Sequence, residues 1–321
     1  MYILEKTNMS SPQVLLGALA GQAGRGEART ARVQNVDQSN SVRGEHGNMS
    51  RRHDETASFE YIISLVYERS RIRLHDGKHS LIRARLGKRM RHHGFEHLSD
   101  YCSYLQSTGD EEEVTHVVDA LTTNFTSFLR EKSHFEFLVR HALPELLAPS
   151  QRSFQVWSAA CATGEEPFSL ACYLAEFYPP VSGWNWRILA TDISTKALRK
   201  AEAGVYPLDR IEGLPLEWRR RYFQRGTGQW EGHCRVKPAL AERVEFRQLN
   251  LLEPYTIPDP FPVILCRNVM IYFDRPTQEQ LVRQLSRFLV PKGYLLIGHS
   301  ESLNGLSIGM RCLRPSVYQK T

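Results

Sequence analysis

The stretch VWSAACATGEEPFSLACYL, residues 156–174, decides the fold. It begins as an apolar run, passes through small residues to Gly164, and continues with Glu165 and Glu166. Pro167 suits a first helical turn, and the apolar residues after it have helical spacing. The pattern predicts a strand, a tight turn and a helix, which is how an α/β sheet opens a pocket at a strand's carboxyl end. Small side chains let a ligand approach the backbone, and the carboxylates favour a cationic or polyhydroxylated ligand over a phosphate.

The composition is that of a globular protein. Its 321 residues allow two domains and a tail, and its net charge of +6 permits an acidic partner, either nucleic acid or a protein helix. The sequence lacks an export signal and the roughly 18-residue apolar run of a membrane span. The six cysteines are scattered without a CxxC pair, which favours free thiols in a reducing cytoplasm over a metal site or disulfides. We therefore expect a cytoplasmic protein without membrane insertion or a bound metal.

Three segments differ in their residue patterns. Residues 1–55 are rich in Gly, Arg, Ser, Gln and Asn, and are predicted to be a disordered tail. Residues 56–148 repeat apolar positions at helical spacing and predict a small all-helical domain. Residues 149–321 alternate strands with helices, which predicts a mostly parallel sheet. Within them, glycines and aromatic residues at about 204–243 predict a small antiparallel β insert.

The element boundaries of the sheet domain are also predicted. The predicted strands are Ser153–Ala159, Arg187–Thr191, Val244–Gln248, Pro262–Cys266 and Tyr294–Gly298, with Cys312–Gln319 as a last edge strand. The predicted helices are Pro167–Phe177, Thr195–Ala203 and Pro276–Leu289. Residues 290–293, VPKG, are expected to stop the last helix before the final parallel strand.

Asp192 follows the predicted strand Arg187–Thr191. An acidic residue there commonly accepts hydrogen bonds from ribose hydroxyls, although it also suits the cap of the next helix. NAD is disfavoured as the nucleotide, because the first loop has one glycine where a pyrophosphate cradle needs three. S-adenosylmethionine carries a ribose, a sulfonium and an ammonium, and Glu165 or Glu166 can meet the ammonium.

The stretch CRNVMIYFD, residues 266–274, follows another predicted strand. It puts Arg267, Asn268 and Tyr272 where α/β sites form, although an ordinary loop with a core tyrosine is the plain alternative. It lacks the Asn/Asp-Pro-Pro-aromatic motif usual in methyltransferases that act on base amines, which argues against a base-amine substrate.

The stretch LTTNFTSFLRE, residues 121–131, precedes the predicted sheet. Polar residues within an apolar pattern usually mark a helix break or cap, and that is one interpretation. At a junction of two domains the same residues would close over a ligand. Arg130 is then the fixed cation that can hold a carboxylate through two hydrogen bonds.

Lys78–Arg91 contains six cations and no acid. A basic helix face is most often solvated surface or a nucleic-acid patch, and it also fits an acidic helical protein. Because aromatic residues are missing from it, stacking with single-stranded nucleic acid is poorly supported.

These segments, in this order, resemble the CheR-type chemoreceptor glutamate methyltransferases of bacterial chemotaxis. The resemblance runs from about Phe59 to Tyr318, and its most specific segments are TTNFTSFLRE, VWSAACATGEEPFS, ATDIS, YFQRGTGQWEGHCRV, LNLLEP, CRNVMIYFD and GYLLIGHSESL. It implies a class I S-adenosylmethionine-dependent methyltransferase, an α/β fold with a Rossmann-like sheet, joined to a small all-helical N-terminal domain and carrying a β insert. It also implies methyl transfer to receptor glutamates, with S-adenosylhomocysteine as the product, which tunes chemotactic adaptation.

The resemblance also implies roles for individual residues. The cofactor site would be lined by Asn124, Thr126, Arg130, Glu166, Asp192, Asn250, Leu251, Asn268 and Val269. Arg130 and Tyr272 would lie nearest the transferred methyl group. The basic helix would face the acidic methylation helices of the cytoplasmic domain of transmembrane chemoreceptors, through Arg83, Arg85, Lys88, Arg89 and Arg91. The β insert would hold a receptor tail peptide in members that tether, and the protein would act as a monomer.

Two departures and two competing functions accompany this interpretation. Phe125 stands where many members carry Glu or Leu, and Leu129 where an aromatic residue is common; neither removes a functional polar group. One competitor is a nucleic-acid methyltransferase that binds through the basic helix. The other is a non-catalytic adaptor that senses the cofactor. Such an adaptor would be expected to lack Arg130 or Tyr272, and both are present.

Overall fold

The structure, a computed structural model, describes residues 41–74, 77–306 and 308–321, with side chains from Asp54 onward. Residues Met49–Thr321 form one compact unit. The predicted disordered tail lies mainly outside the described residues, and the first described helix begins at Ser41. Within the described part of the chain, no helix combines the length and the apolar character needed to cross a membrane.

Four helices begin the described chain: α1 (Ser41–Ser70), α2 (His79–His92), α3 (Leu98–Thr108) and α4 (Glu111–Leu121). They form one hydrophobic core from residues at the predicted 3–4 spacing, which include Phe59, Ile62, Val66, Ile82, Leu86, Tyr101, Leu105, Val117 and Leu121. Asp110 caps α4, since its carboxylate accepts hydrogen bonds from the amides of Glu112 and Glu113. The chain then runs without regular structure to α5 (Ser133–Phe137), a π-helical turn (Leu138–Ala142) and α6 (Leu143–Leu146).

Strands and helices alternate from residue 153 onward. In chain order they are β1 (Ser153–Ala159), α7 (Glu165–Phe177), β2 (Asn185–Asp192), α8 (Thr195–Ala203), β3 (Val205–Pro207), α9 (Leu216–Tyr222), β4 (Phe223–Arg225), β5 (His233–Val236), α10 (Pro238–Ala241), β6 (Val244–Gln248), β7 (Phe261–Cys266), α11 (Arg275–Arg287), β8 (Leu289–Leu296), β9 (Met310–Arg314) and β10 (Val317–Lys320). Short 3₁₀ turns are Pro180–Ser182, Leu208–Ile211, Gly228–Trp230 and Met270–Tyr272.

The main sheet has seven strands in the order β6-β2-β1-β7-β8-β10-β9. Its first five strands are parallel, and β10 is antiparallel to both of its neighbours. Successive β1 residues serve opposite faces, because Val156 joins one core cluster and Trp157 the other. Strands β3, β5 and β4 form a separate antiparallel sheet, which is the predicted β insert. The predicted α/β class, with a Rossmann-like sheet, a helical N-terminal part and a β insert, is confirmed.

The parallel register aligns three strand ends at one edge of the sheet. Ala159 at the end of β1 pairs with Thr191 of β2 and with Cys266 of β7. The loops that follow these strands therefore leave the sheet side by side. This is the edge at which a parallel α/β sheet forms its ligand site.

The end of the chain differs from the prediction. The helix α11 ends at Arg287, and β8 already begins at Leu289, so residues 290–293 belong to a strand instead of a helix stop. Lys292 has φ 62° within this irregular stretch, whose glycine and proline gave the appearance of a turn. The predicted edge strand Cys312–Gln319 is a hairpin of β9 and β10, since the chain reverses near Ser316, at φ 64°. The helix α9, inside the β insert, was not predicted.

Candidate active site

A cleft of about 1100 Å³, including the solvent at its mouth, lies at the carboxyl edge of the parallel strands. Its floor comes from the loops after β1, β2, β6 and β7, and its other walls come from the end of α1, the segment after it, and the link between α4 and α5. The lining residues include Ile72, Arg73, Leu74, Lys78, Thr122, Asn124, Thr126, Arg130, Ala160, Ala162, Glu166, Asp192, Asn250, Leu251, Arg267, Asn268, Val269 and Tyr272.

The loop after β1 has a left-handed backbone at three positions. Ala160 has φ 65°, Ala162 has φ 49°, and Gly164, immediately before α7, has φ 94°. A Cβ on Gly164 would lie 2.7 Å from the Tyr206 hydroxyl and 2.8 Å from the Cβ of Ala201. Non-glycine residues in this conformation are uncommon and cluster at functional sites. The small residues singled out in the sequence therefore form a tightly folded loop on the cleft wall.

Asp192 is buried beside this loop. One of its oxygens accepts a hydrogen bond from the Ala162 amide at 2.8 Å, and the other accepts one from the Ser194 amide at 2.9 Å. Ser194, not Asp192, is the N-cap of α8, because its hydroxyl accepts the Ala197 amide. Burial raises the pKa of the Asp192 carboxyl, and no cation forms an ion pair with it among the described side chains. Asp192 is thus an anionic acceptor on the cleft wall that lacks a countercharge.

Glu165 and Glu166 face different surroundings. Glu166 lines the cleft and accepts hydrogen bonds from Ser158 at 2.7 Å and from Arg267 at 2.9 Å. Burial raises its pKa, although Arg267 acts in the opposite direction. Glu165 is paired with Arg210 of the β insert and is not a lining residue. The expectation that either glutamate can meet a cationic ligand therefore applies to Glu166 alone.

Arg130 lies in the link between α4 and α5. Its guanidinium donates to the Phe125 carbonyl at 3.1 Å, and its own carbonyl accepts Arg267 at 2.5 Å. The residues on either side, Leu129 and Glu131, have φ values of 55° and 53°. Arg130 thus lines the cleft from a strained piece of main chain.

Asn124 and Thr126 precede Arg130 in the same link. The side-chain amide of Asn124 donates a hydrogen bond to the hydroxyl of Ser194 at 3.2 Å. The backbone carbonyl of Thr126 accepts a hydrogen bond from the Arg210 guanidinium at 2.6 Å. The link is therefore tied both to the start of α8 and to the β insert, which holds its polar residues against the cleft.

Glu131 was not predicted to be a site residue. Its carboxylate accepts hydrogen bonds from Arg267 at 3.0 Å, from the Asn268 side chain at 3.2 Å and from the His299 amide at 3.1 Å. Burial opposes its ionisation, but Arg267 and these hydrogen bonds outweigh burial and lower its pKa. An acid beside Arg130 was visible in the sequence, but its partners are more than a hundred residues away along the chain.

Glu131, His134 and His299 bring their potential ligand atoms within 4.8 Å of one another. The Arg267 guanidinium already contacts the Glu131 oxygen that faces His134, and a second cation there would be repelled. Burial, together with Arg267, lowers the pKa of His134 to about 3, so this imidazole is neutral at pH 7.

Glu301 fixes the loop after β7 and was also missed. Its carboxylate accepts the amides of Asn268, Met270 and Gly298, at 2.9, 2.7 and 2.5 Å. Asn268 has φ 59°, and a Cβ on Gly298 would lie 2.3 Å from its side-chain nitrogen. The site wall at Asn268 and Val269 is thus shaped by one carboxylate from the loop after β8. Glu301 lies in GYLLIGHSESL, one of the segments that carry the family resemblance, but no local pattern indicates its role.

The segment after α1 meets the floor of the cleft. The Arg73 amide donates to the Tyr272 carbonyl at 3.1 Å, and the Asn250 side chain donates to the Arg69 carbonyl at 3.0 Å. Tyr272 is partly exposed in the cleft, on the 3₁₀ turn after β7. The helical part of the chain therefore contributes directly to the cleft.

The structure brings the nine expected cofactor residues and Tyr272 into this one cleft. Two of the five cations expected on the basic helix α2 have partners within the chain. Arg89 is paired with the buried Glu113, and Arg85 donates to the carbonyls of Leu121 and Thr122. Both side chains are half-buried and are hydrogen-bonded within the chain.

Three other basic residues of α2 are exposed. Arg83 pairs with Glu55 and lies 5.4 Å from the ring centre of Phe59, whereas Lys88 and Arg91 have no ion pair within the described part of the chain. Arg83, Lys88 and Arg91 are therefore the exposed arginine and lysine residues of α2.

The chemistry of the cleft fits S-adenosylmethionine. This ligand combines positive charge with a ribose diol, and the cleft offers the buried carboxylates Asp192 and Glu166. A buried carboxylate without a countercharge, as at Asp192, is stabilised by a cationic ligand and destabilised by a phosphate. Small residues at Ala160 and Ala162 leave the backbone accessible, and Leu251 and Val269 provide apolar surface for a base.

Comparisons with known proteins agree with this chemistry. The family model described as CheR methyltransferase, SAM binding domain, matches residues 124–318, and the CheR methyltransferase all-alpha domain matches residues 57–122. The chain is 43% identical over 251 residues to the chemotaxis protein methyltransferase of Salmonella typhimurium, covering 78% of this chain and 85% of that protein. It is 42% identical over 265 residues to the Escherichia coli protein of the same name, covering 82% and 90%.

A third relative is chemotaxis protein methyltransferase 2 of Pseudomonas aeruginosa, 40% identical over 271 residues, which cover 83% of this chain and 94% of that protein. Among solved structures, PKMT2 of Rickettsia typhi aligns over 54% of this chain and 26% of that chain, at 15% identity and a TM-score of 0.35, too low to support a conclusion. The matched domains and the cleft agree: the chain belongs to the CheR methyltransferase family and is an S-adenosylmethionine-dependent methyltransferase.

Proposed function

We propose that this methyltransferase esterifies glutamate side chains of chemoreceptors and so tunes chemotactic adaptation. The observation that carries the proposal is the single cleft in which the nine expected cofactor residues, Arg130 among them, lie together with Tyr272. The names of the relatives support a role in chemotaxis. A nucleic-acid substrate is less well supported, because Arg85 and Arg89 of the basic helix already have partners within the chain.

The proposed residue roles follow from charge. When bound, S-adenosylmethionine supplies a methyl group on a positively charged sulfur. Asp192 and Glu166 hold the cationic and hydroxylated parts of the cofactor, while Asn124, Thr126, Asn250, Leu251, Asn268 and Val269 complete its site.

Arg130 orients the acceptor. A glutamate has a reference pKa of about 4.3 and is ionised at pH 7, so its methylation needs no general base. A strong cation on the carboxylate would reduce its nucleophilicity, so Arg130 acts mainly by aligning it. Tyr272 fixes the approach of the carboxylate or of the methyl group. Alignment of this kind can supply about 7–11 kcal/mol of the barrier reduction.

The proposed partner is the acidic methylation helix of a receptor's cytoplasmic domain. The exposed cations Arg83, Lys88 and Arg91 of α2 form the face that would meet it. The β insert would hold a receptor tail peptide where the receptor has one. The protein would act in the cytoplasm as a monomer.

The experiment is transfer of a labelled methyl group to membranes that carry the organism's own receptors, followed by treatment with base. Carboxyl methyl esters release methanol under base, whereas methylated amines do not. We expect base-labile label on receptors, near-complete loss in Arg130→Ala and a reduced rate in Tyr272→Phe. Arg152→Ala, an exposed arginine outside the cleft, is the matched control and should behave as the wild type.

Two results would contradict the proposal. Base-stable label, or label in RNA with steep loss of binding at higher salt, would indicate the nucleic-acid function instead. Near-normal turnover by both Arg130→Ala and Tyr272→Phe, with unchanged cofactor affinity, would disprove the roles of these two residues.

A further inference from the structure

We propose that Ser169 and Arg267 are positioning residues for Arg130, holding the strained main chain from which its side chain enters the cleft. This inference rests on the proposed function, because it gives Arg130 the task of aligning the acceptor carboxylate. Neither Ser169 nor Arg267 is assigned a contact with the acceptor.

The main chain is strained on both sides of Arg130. Leu129 and Glu131 both have left-handed backbone, at φ 55° and 53°, and neither is a glycine. Such conformations are disfavoured for residues with a Cβ, and they persist only where the surrounding structure holds them. The groups that hold this tripeptide therefore determine the direction in which Arg130 leaves the main chain.

Ser169 holds the first part of the tripeptide. It lies on α7, and its side chain is fully buried. Its hydroxyl accepts a hydrogen bond from the Leu129 amide at 3.0 Å and donates one to the Glu165 carbonyl at 2.6 Å. Because the hydroxyl proton is used within α7, its lone pair is oriented towards Leu129.

Arg267 holds the second part. Its side chain is 1% exposed, and one terminal nitrogen donates both to the Arg130 carbonyl at 2.5 Å and to the Glu131 carboxylate at 3.0 Å. The other terminal nitrogen donates to Glu166 at 2.9 Å. The fork of one guanidinium thus joins the Arg130 segment to the helix that carries the cofactor carboxylate.

The hydrogen bonds from the Leu129 amide to Ser169 and from Arg267 to the Arg130 carbonyl fix the peptide units between these two groups. Arg130 has a long side chain that makes one hydrogen bond within the described structure, to the Phe125 carbonyl. A small rotation of its main chain would therefore displace its guanidinium. A misplacement of about 1 Å can reduce an enzymatic rate by about 100-fold.

The test is Ser169→Ala, which removes the acceptor for Leu129 and adds no bulk. We expect kcat to fall at least about tenfold, while the Kd for S-adenosylhomocysteine rises by a smaller factor, because Ser169 does not line the cleft and Arg130 is one of the nine residues expected to hold the cofactor. Ser58→Ala is the matched control: it removes a hydroxyl that is similarly buried but bonded within α1, to the Asp54 carbonyl. Its kcat should be that of the wild type.

A double-mutant cycle separates positioning from general destabilisation. Arg130→Lys retains a charge but loses the planar fork. If Ser169 acts through Arg130, Ser169→Ala will lower kcat much less in the Arg130→Lys background than in the wild type. Full additivity, or a wild-type kcat in Ser169→Ala, overturns the inference.

Folding and the underlying activity are checked separately. If Ser169→Ala does not give a cooperative unfolding transition, Ser169→Cys takes its place in the same cycle, with the same criteria. Arg267→Lys is the second variant, and it should lower kcat too, since one ammonium cannot replace both arms of the fork. A wild-type enzyme that fails to methylate receptors contradicts the proposed function itself, whereas an active wild type with additive variants contradicts only the positioning roles.

Discussion

Gly164→Ala tests the tightest contact of the cofactor loop. Gly164 lies at φ 94°, and an added Cβ would be 2.7 Å from the Tyr206 hydroxyl, 2.8 Å from the Cβ of Ala201 and 3.0 Å from its Cα. The backbone of α8 cannot give way easily. Tyr206 must then move, which breaks the hydrogen bond of 2.8 Å that it donates to the Thr163 carbonyl.

The expected loss of stability has three parts. The left-handed backbone costs an alanine about 1–2 kcal/mol, which is offset by up to about 1 kcal/mol from the reduced freedom of the unfolded chain. Overpacking adds about 1–3 kcal/mol, and the lost hydrogen bond of Tyr206 adds about 1 kcal/mol. We therefore expect Gly164→Ala to lower the free energy of unfolding by about 2–6 kcal/mol.

The control is Gly183→Ala, because Gly183 has φ 81° but no atom within 4 Å of an added Cβ. It should cost about 1 kcal/mol, from the backbone alone. Urea unfolding measures both variants, and calorimetry with S-adenosylhomocysteine measures binding. The Kd should rise at least about tenfold in Gly164→Ala and stay unchanged in Gly183→Ala.

Equal destabilisation by the two alanines would refute this reasoning, because the steric contribution would then be absent. Wild-type binding by a folded Gly164→Ala protein would show instead that the loop shape does not control the cofactor site.

Two further predictions concern pH. His134 has a pKa of about 3 when folded and 6.5 as a reference, so the unfolded chain binds its proton first and stability falls as the pH drops from 6.5 towards 3. His134→Gln should remove about 1 kcal/mol of that loss at pH 5.5, and His97→Gln, at an exposed position, is the control. Glu113 has a folded pKa of about 2 against 4.5, mainly because Arg89, Tyr101 and His93 outweigh the effect of burial. Glu113→Gln should cost about 3 kcal/mol at pH 7, and in acid titrations its difference from wild type should shrink as the pH falls from 4.5 towards 2.

Much of the fold followed from local patterns. The bounds Ser153–Ala159, Thr195–Ala203 and Val244–Gln248 are those of β1, α8 and β6, because each has a clear period and a clear end signal. The failures lie where a local signal has two meanings. The stretch VPKG resembles a helix stop, but Leu289 before it and Tyr294 after it both pair with β7, so VPKG lies as an irregularity within β8. The helix α9 carries the charged run EWRRR, which has little apolar periodicity.

The site was predictable only in part. Residues such as Asp192 and Asn268 follow strands, so the sheet itself puts them at the same edge. Glu131 and Glu301 support the site through partners distant in sequence, and no local pattern identifies them. The inward contacts of Arg85 and Arg89 are likewise tertiary, since one helix viewed alone does not show which cations another helix will neutralise.

Glu301 has a consequence for how this enzyme can diversify. One carboxylate, outside the residues expected to touch the cofactor, gathers the amides of Asn268, Met270 and Gly298. Exchange of Glu301 for an uncharged residue would remove all three hydrogen bonds at once. We therefore expect few single substitutions at Glu301 to preserve the shape of the cleft. The side chain of Phe125, by contrast, is 72% exposed and does not hold the loops of the site in place. New receptor preferences should therefore arise at the rim of this enzyme while its framework stays fixed.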